Sequence, residues 1–457
     1  MTLGAKIAVA RAAGALSRRS GRGATSLPGK VLMRLAPDAI GRLAARLPHG
    51  SAVISATNGK TTTTAMVAAI LEHGGERLVH NRAGANMAGG IAATLLDAAR
   101  RRGAIDGDTG LFEVDEFWLD RLVPQLRPWA ILLGNLFRDQ LDRYGELETI
   151  ADRWRAAIAT VDALLVLNAD DPLVADLGLV PRDPDFGVTY FGVDDDAVAL
   201  PGLAHASDST HCRRCGAPLT YDAVYLGHLG RYRCPNGDSE RPAPHVRATA
   251  IALRGTRGAR FELHVGDEQA TVALPLPGLY NVYNALGAAA LASALGAPLT
   301  QIVAGLESTQ AAFGRAETVR IGGRELAILL VKNPAGANEV LRTLALDDGA
   351  VDVLAVLNDK IADGRDVSWV WDADFEVIAG RVRRVTCSGT RAAELALRLK
   401  YAGVAPERLH VVPELEDGLD AALADGEGRL VALPTYTAML ALRELLVARG
   451  AAAGSFG

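Results

Sequence analysis

Residues 57–62, Thr-Asn-Gly-Lys-Thr-Thr, combine the groups with which proteins hold a polyphosphate. Gly59 allows the backbone to turn close to an anion, and the N–H groups after it open a helix whose dipole favours negative charge. Lys60 adds a positive charge, and Thr61 offers a hydroxyl to Mg²⁺. Ile54 stands where the strict phosphate-loop pattern has a glycine, so an Asn-Gly turn that merely caps a helix remains the alternative. The predicted nucleotide contacts in this stretch are Thr57, Asn58, Gly59, Lys60, Thr61 and Thr62.

A second group of reactive side chains is a cysteine cluster, in which Cys212-Arg-Arg-Cys215 is followed by Cys234. Thiolates on two tight turns surround tetrahedral Zn²⁺ in zinc ribbons. The fourth cysteine of such a ribbon is missing, and two interpretations stay open. Either the metal has been lost, or a further side chain completes the shell. The candidates for the fourth ligand are Asp238, His211 and His228.

The elements that position these groups follow from an alternation of apolar runs and polar turns. The run 51–55 predicts a buried strand, and the helix after it is expected to end at Gly74-Gly75. Similar runs at 111–116, 128–135 and 163–171 predict further strands of a mostly parallel sheet. We therefore expect an α/β fold with a central ATP-binding domain over 49–312, preceded by a helical lead-in over 1–48. The polar, turn-rich stretch 202–245 is predicted to be a zinc-ribbon-like insertion in that domain.

A smaller Rossmann-like α/β domain is predicted over 313–457. Phe313-Gly314 is a candidate hinge, and the strands expected after it are 326–331, 351–357, 384–387, 409–412 and 430–433.

Composition limits the function classes. The chain has 457 residues, 22 % charged, with a net charge of −5, which gives no overall attraction to nucleic acid. Only four cysteines occur, which fits a reducing cytoplasm better than a secreted disulfide framework. No apolar run approaches the ~20 residues of a membrane span. The basic segment before Leu47 is interpreted as a surface helical lead-in, with peripheral contact to an anionic bilayer as the alternative.

Several motifs together resemble the Mur ligase superfamily, whose members use ATP to activate a carboxylate as an acyl phosphate. Within it, the chain resembles the MurT family, synthetase subunits that amidate lipid II, and the likeness covers nearly the whole chain. The motifs that carry it are Thr57–Thr62, Glu113 in Glu-Val-Asp-Glu, Asn81–Met87, Asn135–Glu146, Asn281-x-x-Asn284, Phe313-Gly-Arg315, Lys332–Gly336, Asn358–Trp369 and the cysteine insertion.

The resemblance assigns roles to several residues. It implies that Gly59 and Lys60 hold the ATP phosphates and that Thr61 and Glu113 serve Mg²⁺. It places Asn281 and Asn284 on the adenine side, and Arg315 reaching the phosphates from the hinge. Taken singly, Asn284 could cap a helix and Glu113 could be a solvent-facing carboxylate. Gln140 stands where amino-acid-adding relatives have a metal-binding His, which puts a second metal site in doubt.

The resemblance also implies a partner, a separate glutaminase subunit resembling GatD. Asp366 would reach across to orient the catalytic His of that subunit, because a carboxylate fixes the tautomer of an imidazole that activates a thiol. The alternative for Asp366 is a solvated turn. Cys387, in Thr-Cys-Ser-Gly, lacks the context of a glutaminase nucleophile, so nitrogen release is expected in the partner.

The expected function is ATP-dependent amidation of the D-glutamate α-carboxylate of the lipid II stem peptide, in the cytoplasm at the inner face of the membrane. One alternative is an amino-acid-adding ligase of the same superfamily, such as a peptidoglycan or folylpolyglutamate ligase. The short stretch before the phosphate loop speaks against it, since it leaves no room for a nucleotide-sugar-binding domain. Another alternative is a non-catalytic scaffold that binds nucleotide only to regulate a partner.

Overall fold

The computed structural model describes residues 2–19, 26–81, 85–100, 104–139, 147–204, 207–309, 317–424 and 428–452. Within these residues the chain forms two α/β units, one on a nine-stranded sheet and one on a six-stranded sheet. No helix in these ranges is both long and apolar enough to cross a membrane.

The nine-stranded sheet has the order β11-β10-β9-β6-β5-β4-β1-β3-β2. Strands β1 to β6 run parallel, β9 continues this parallel arrangement beside β6, and β10 and β11 extend the sheet as an antiparallel edge. A separate hairpin, β7–β8, lies between β6 and β9 in the chain. These strands are β1 (Ser51–Ser55), β2 (Leu78–His80), β3 (Thr109–Glu113), β4 (Ala130–Leu133), β5 (Leu164–Asn168), β6 (Val188–Val193), β7 (Thr220–Leu226), β8 (Leu229–Arg233), β9 (Val246–Leu253), β10 (Ala259–Val265) and β11 (Glu268–Leu274).

Helices cover both faces of this sheet and bury two large apolar clusters against it. Strands β1, β3 and β4 are buried along their whole length, as expected for parallel strands covered on both faces. The helices of this unit are α1 (Leu3–Arg19), α2 (Leu27–Leu35), α3 (Ala39–Ala44), α4 (Lys60–His73), α5 (Ala88–Ala98), α6 (Leu119–Leu126), α7 (Leu147–Ile158), α8 (Pro172–Ala175), α9 (Leu279–Ala294) and α10 (Leu299–Ser308).

The six-stranded sheet has the order β12-β13-β17-β14-β15-β16, parallel except for the β12–β13 hairpin. Two apolar clusters cover its faces. Its strands are β12 (Glu317–Ile321), β13 (Arg324–Ile328), β14 (Val351–Val356), β15 (Val382–Ser388), β16 (Leu409–Val411) and β17 (Leu430–Pro434). Its helices are α11 (Pro334–Ala345), α12 (Glu376–Ala379), α13 (Ala392–Tyr401), α14 (Leu415–Leu423) and α15 (Tyr436–Ala448).

The mostly parallel α/β architecture predicted from sequence is confirmed, and helix α4 ends at His73 with Gly74 as its cap, as expected. The first helical segment packs on the sheet unit rather than standing free. Leu3, Ile7 and Ala10 of α1 are buried, and Nη2 of Arg11 donates to the carbonyl oxygen of Leu96 at 2.8 Å, near the end of α5. The candidate hinge Phe313-Gly314 lies outside the described residues.

Candidate functional site

The turn between β1 and α4 is built around Gly59, which adopts a left-handed backbone conformation with φ +83°. A Cβ atom at this position would lie 2.0 Å from Oδ1 of Asn284, so only glycine fits against helix α9. Oγ1 of Thr63 donates to the same Asn284 oxygen at 3.3 Å. The start of α4 is thus packed against α9, and its first residues line a cavity.

That cavity has a volume of about 400 Å³ and lies between the two sheet units, at the carboxyl ends of β1 and β3. Ile54 of β1 pairs with Glu113 of β3, which puts the carboxylate beside residues 57–62, the predicted phosphate loop. The cavity brings together all the nucleotide and magnesium candidates that the structure describes. These are Thr57, Asn58, Gly59, Lys60, Thr61, Thr62, Glu113, Asn281 and Asn284.

Three carboxylates surround the buried ammonium group of Lys60. Its Nζ lies 2.7 Å from Oε2 of Glu116, and Asp115 and Glu113 are close enough to act on its charge. Burial works against the charged form, but these acids outweigh it and raise the pKa of Lys60 above its ordinary value. Burial also raises the pKa of Glu116, against the opposing attraction of Lys60. Sequence reasoning selected only Glu113 from this run, although Asp115 and Glu116 stand in the same Glu-Val-Asp-Glu motif.

The donor set around the loop fits a nucleotide with Mg²⁺. Carboxylate and hydroxyl oxygens are the protein ligands that Mg²⁺ prefers. Thr61 and Glu113, which carry such oxygens, both line the cavity. Glu113 is held in place by Asn86, whose Nδ2 donates to Oε1 at 3.1 Å, and by Asn81, whose Nδ2 donates to the Glu113 carbonyl at 2.8 Å.

Asparagine side chains from both sheet units hold the phosphate loop in place. Asn58 N donates to Oδ1 of Asn135 at 2.9 Å, and Nδ2 of Asn135 donates to the Asn58 carbonyl at 3.0 Å. The Asn58 side chain pairs with Asn333 of the six-stranded unit, whose Nδ2 donates to Oδ1 of Asn58 at 3.1 Å. The loop is therefore held at both of its faces.

Lys332, just before Asn333, also reaches the loop. Its Nζ donates to the carbonyl oxygen of Thr57 at 3.1 Å and to Oδ2 of Asp139 at 2.5 Å. Lys332 and Asp139 both line the cavity. Their motifs were visible in the sequence, but nothing in their spacing linked positions 193 residues apart.

Asn281 and Asn284 both lie in the cavity wall on α9. Nδ2 of Asn284 donates to Oδ1 of Asn281 at 3.0 Å, and Nδ2 of Asn281 donates to the Pro277 carbonyl at 2.7 Å. Their adenine-side role stays a prediction. Arg315 and Gln140 lie outside the described residues.

The cysteine cluster forms a second site, on the insertion. The ligand atoms of Cys212, Cys215, Cys234 and Asp238 all lie within 4.8 Å of one another. Backbone turns close after Cys212 and after Cys234, because Gly216 N donates to the Cys212 carbonyl at 2.8 Å and Gly237 N to the Cys234 carbonyl at 3.0 Å. Three thiols and a carboxylate at this spacing fit a tetrahedral zinc site.

Of the three candidates for a fourth zinc ligand, the structure places only Asp238 with the thiols. His228 is fully buried elsewhere, with Nε2 3.4 Å from Oδ2 of Asp171. His211 lies beside Thr210, with its Nδ1 3.0 Å from Oγ1 of that residue.

The loop after β14 is anchored at its middle and exposed at its end. Oδ1 and Oδ2 of buried Asp363 accept from the N–H and the hydroxyl of Thr437, at 2.7 and 2.5 Å. Asp366 is exposed, and its Oδ1 accepts from Ser368 N at 2.8 Å. Hydrogen bonds from Ser368 lower the pKa of Asp366. Ala362 of the same loop lines the cavity, so this loop runs from the cavity to the surface.

Cys387 has no features of a nucleophile. It is fully buried in β15, and burial raises the pKa of its thiol to about 12. A thiol needs a lowered pKa and access to substrate for nucleophilic catalysis.

Comparisons with known proteins match this architecture. Residues 54–236 fit the family description "Mur ligase middle domain", and residues 330–439 fit "MurT ligase C-terminal". Among solved structures, the fold is similar to a pseudomurein peptide ligase type C from Methanothermus fervidus, with a TM-score of 0.66 at 22% identity over 87% of this chain and 78% of that one. It is also similar to the folylpolyglutamate synthase of Mycobacterium tuberculosis, with a TM-score of 0.60 at 18% identity over 92% and 98% of the two chains.

The fold and the phosphate-loop cavity define a ligase of the Mur ligase superfamily, a group of ATP-dependent enzymes. The sequence is 35% identical over 94% of both chains to the lipid II isoglutaminyl synthase (glutamine-hydrolyzing) subunit MurT of Streptococcus pneumoniae. It is 31% identical to the protein of the same name from Staphylococcus aureus, over 96% of this chain and 97% of the other. The chain therefore belongs to the MurT family.

Proposed function

We propose that this chain uses ATP to amidate the D-glutamate α-carboxylate of the lipid II stem peptide, giving D-isoglutamine. The observation that carries the proposal is the convergence of Lys60, Thr61 and Glu113 in one cavity, in a chain whose relatives are named for this reaction. A carboxylate oxygen attacks the terminal phosphorus of ATP and ADP leaves. Ammonia then attacks the carbonyl carbon of the acyl phosphate, and phosphate leaves as the nitrogen loses a proton.

The residues of the cavity serve the first of these steps. Lys60 and the N–H groups that open α4 hold phosphate oxygens, while Thr61 and Glu113 hold Mg²⁺. Asn281 and Asn284 support the loop and face the nucleotide. The role of Arg315 at the phosphates rests on the family resemblance alone. An acyl phosphate hydrolyses in open water, so placing the cavity between two units protects it.

Ammonia is supplied by a glutaminase subunit resembling GatD. This chain offers no nucleophilic thiol of its own in Cys387, and its relatives are named subunits of a glutamine-hydrolyzing enzyme. Asp366, exposed on the loop that also lines the cavity, supplies the acid of a Cys-His-acid triad across the subunit interface.

Cys212, Cys215, Cys234 and Asp238 would hold a zinc ion with a structural role. The proposed domains are 1–48, 49–312 with the insertion 202–245, and 313–457; the last boundary lies outside the described residues. A lipid-linked substrate implies a reaction in the cytoplasm at the inner face of the membrane.

The decisive experiment incubates the chain with lipid II, ATP and Mg²⁺, supplied with ammonium or with glutamine, with and without the glutaminase partner. Mass spectrometry of the stem peptide then reports the small decrease that replaces a hydroxyl by an amino group. We expect amidation with ammonium alone, and with glutamine only when the partner is present. Addition of an amino-acid mass, or nucleotide binding with no product, would overturn the proposal.

A further inference from the structure

Two lysines from different units of the fold bind the same backbone oxygen. Nζ of Lys60 lies 3.4 Å from the carbonyl oxygen of Thr57, and Nζ of Lys332 lies 3.1 Å from it. Lys332 is 275 residues from Thr57 in the chain and arrives on the six-stranded unit. Both ammonium groups therefore lie beside one backbone oxygen in the wall of one cavity.

The position of Lys332 is fixed on both sides. Asp139 accepts from its Nζ at 2.5 Å, and the Asp139 side chain is only 10% exposed. The next residue, Asn333, caps α11 by accepting from Gly336 N at 2.9 Å and also pairs with Asn58. The ammonium group is thus held at the loop by the start of a helix and by a largely buried carboxylate.

Lys332 retains a donor for a ligand. An ammonium group has three N–H donors, and Thr57 and Asp139 account for two of them. Its side chain is 29% exposed and lines the cavity. Lys60, by comparison, is buried among three acids, with Glu116 bound directly to its Nζ.

We propose that Lys332 is a second catalytic cation, which donates a hydrogen bond to the phosphoryl group as it passes from ATP to the substrate carboxylate. Asp139 is the positioning residue that brings Lys332 to the phosphate loop. Lys332 forms and breaks no covalent bond. Phosphoryl transfer spreads negative charge over the equatorial oxygens, and preorganised positive charge lowers its barrier. The inference rests on the proposed use of ATP. If it holds, the site is complete only when the two units are docked, because Lys332 belongs to the six-stranded unit.

Nucleotide binding tests this without requiring turnover. Calorimetric titration with Mg²⁺ compares a non-hydrolysable ATP analogue, AMPPCP, with ADP on the wild type, K332Q, K332R and D139N. We expect K332Q to bind AMPPCP about tenfold more weakly, the effect of one lost charge-assisted hydrogen bond. The affinity for ADP should change less than about twofold, because ADP lacks the phosphoryl group that Lys332 would contact. K332R should restore part of the difference, and D139N should show an intermediate loss for AMPPCP alone.

K400Q removes an exposed lysine of α13 in the same unit and should bind both nucleotides like the wild type. An equal loss of ADP and AMPPCP affinity in K332Q would make Lys332 a latch between the units and overturn the proposal, as would unchanged binding. In the amidation assay, K332Q should lower kcat while KM for lipid II stays constant. Failure of the wild type to amidate lipid II would overturn the proposed reaction, yet the selective loss of AMPPCP binding would still identify the phosphoryl contact.

Discussion

The cavity around Lys60 has more acidic than basic side chains in its lining. Glu113, Asp115 and Glu116 all line the cavity, whereas Lys60 and Lys332 are the two lysines among the described residues of its wall. Asp139, which is bound to Lys332, and Glu339 bring the carboxylates of this lining to five. A site with this excess of negative charge would repel a polyphosphate on its own. A divalent cation held by these carboxylates would resolve the conflict, because its charge would offset theirs.

Substitution of the exposed Asp366 carboxylate tests its proposed role. Because its proposed role lies in the partner's triad and not in the cavity, Asp366→Asn should abolish glutamine-dependent amidation. Ammonium-dependent amidation should stay near the wild-type rate. The measurement is the initial rate of stem-peptide amidation with each nitrogen source in the presence of the glutaminase partner.

Asp372→Asn is the matched control, since Asp372 is also exposed and follows the same loop. It should leave both activities unchanged. Equal loss of the two activities in the Asp366 variant would contradict the triad role and point to a defect in the synthetase itself.

Individual residues were predictable where a local motif carries the chemistry. Gly59, Lys60 and Thr61 are neighbours in the chain, so their shared role follows from the amino-acid sequence alone. Lys332 and Asp139 could not be paired in this way, because their contact depends on how one unit docks on the other. The pattern of apolar residues along the chain does not indicate how the two units dock.

At the scale of elements, the insertion connects the cysteine cluster with the cavity. Hairpin β7–β8 begins and ends near the cysteines, and Leu226 and Leu229 at its tip line the cavity wall. Between them, His228 packs on Phe137 with ring centroids 4.7 Å apart, and Phe137 N donates to Oγ1 of Thr57 at 3.1 Å. The tip of the hairpin therefore supports the phosphate loop, while the cysteine cluster lies at the opposite end of the hairpin.

Removal of the metal should accordingly weaken nucleotide binding. In Cys234→Ser we expect zinc content to fall below one equivalent and AMPPCP affinity to decrease several-fold, because the hairpin tip loses its anchor. Zinc is measured by elemental analysis of the purified chain and affinity by calorimetry. Cys387→Ser is the control, because Cys387 is buried in the other sheet. This variant should retain one equivalent of zinc. A zinc-free variant with unchanged AMPPCP affinity would separate the insertion from the nucleotide site.

Sequence reasoning succeeded for elements that are buried on both faces. Strands β1, β4 and β14 are nearly continuous apolar runs, and their pattern alone indicates a covered parallel sheet. The edge strand β12 escaped prediction because its exposed face carries polar residues, as in Glu317-Thr-Val-Arg-Ile321. An edge strand is half solvated, so its apolar signal is weak.

Among the described residues, hydrogen bonds join the two units at two places. One is the phosphate loop, where Asn333 pairs with Asn58 and Lys332 bonds to Thr57 and Asp139. The other joins Thr256, in the turn between β9 and β10, to Asp347 and Arg429 of the six-stranded unit. Thr256 N and Oγ1 donate to the Asp347 carboxylate at 2.9 and 2.6 Å, and Nη1 of Arg429 donates to it at 3.2 Å. The second contact lies away from the cavity and can be altered without touching the site.

Asp347→Ala should therefore loosen the docking of the units. Each lost hydrogen bond contributes about 1 kcal/mol. We expect the first calorimetric unfolding transition to shift down by about 2–4 °C per kcal/mol. AMPPCP affinity should fall as well, because Lys332 reaches the phosphate loop only from a docked unit. Asp348→Ala alters the exposed neighbour and should leave both quantities unchanged. A lowered transition with undiminished AMPPCP affinity would show that docking at Thr256 and delivery of Lys332 are independent.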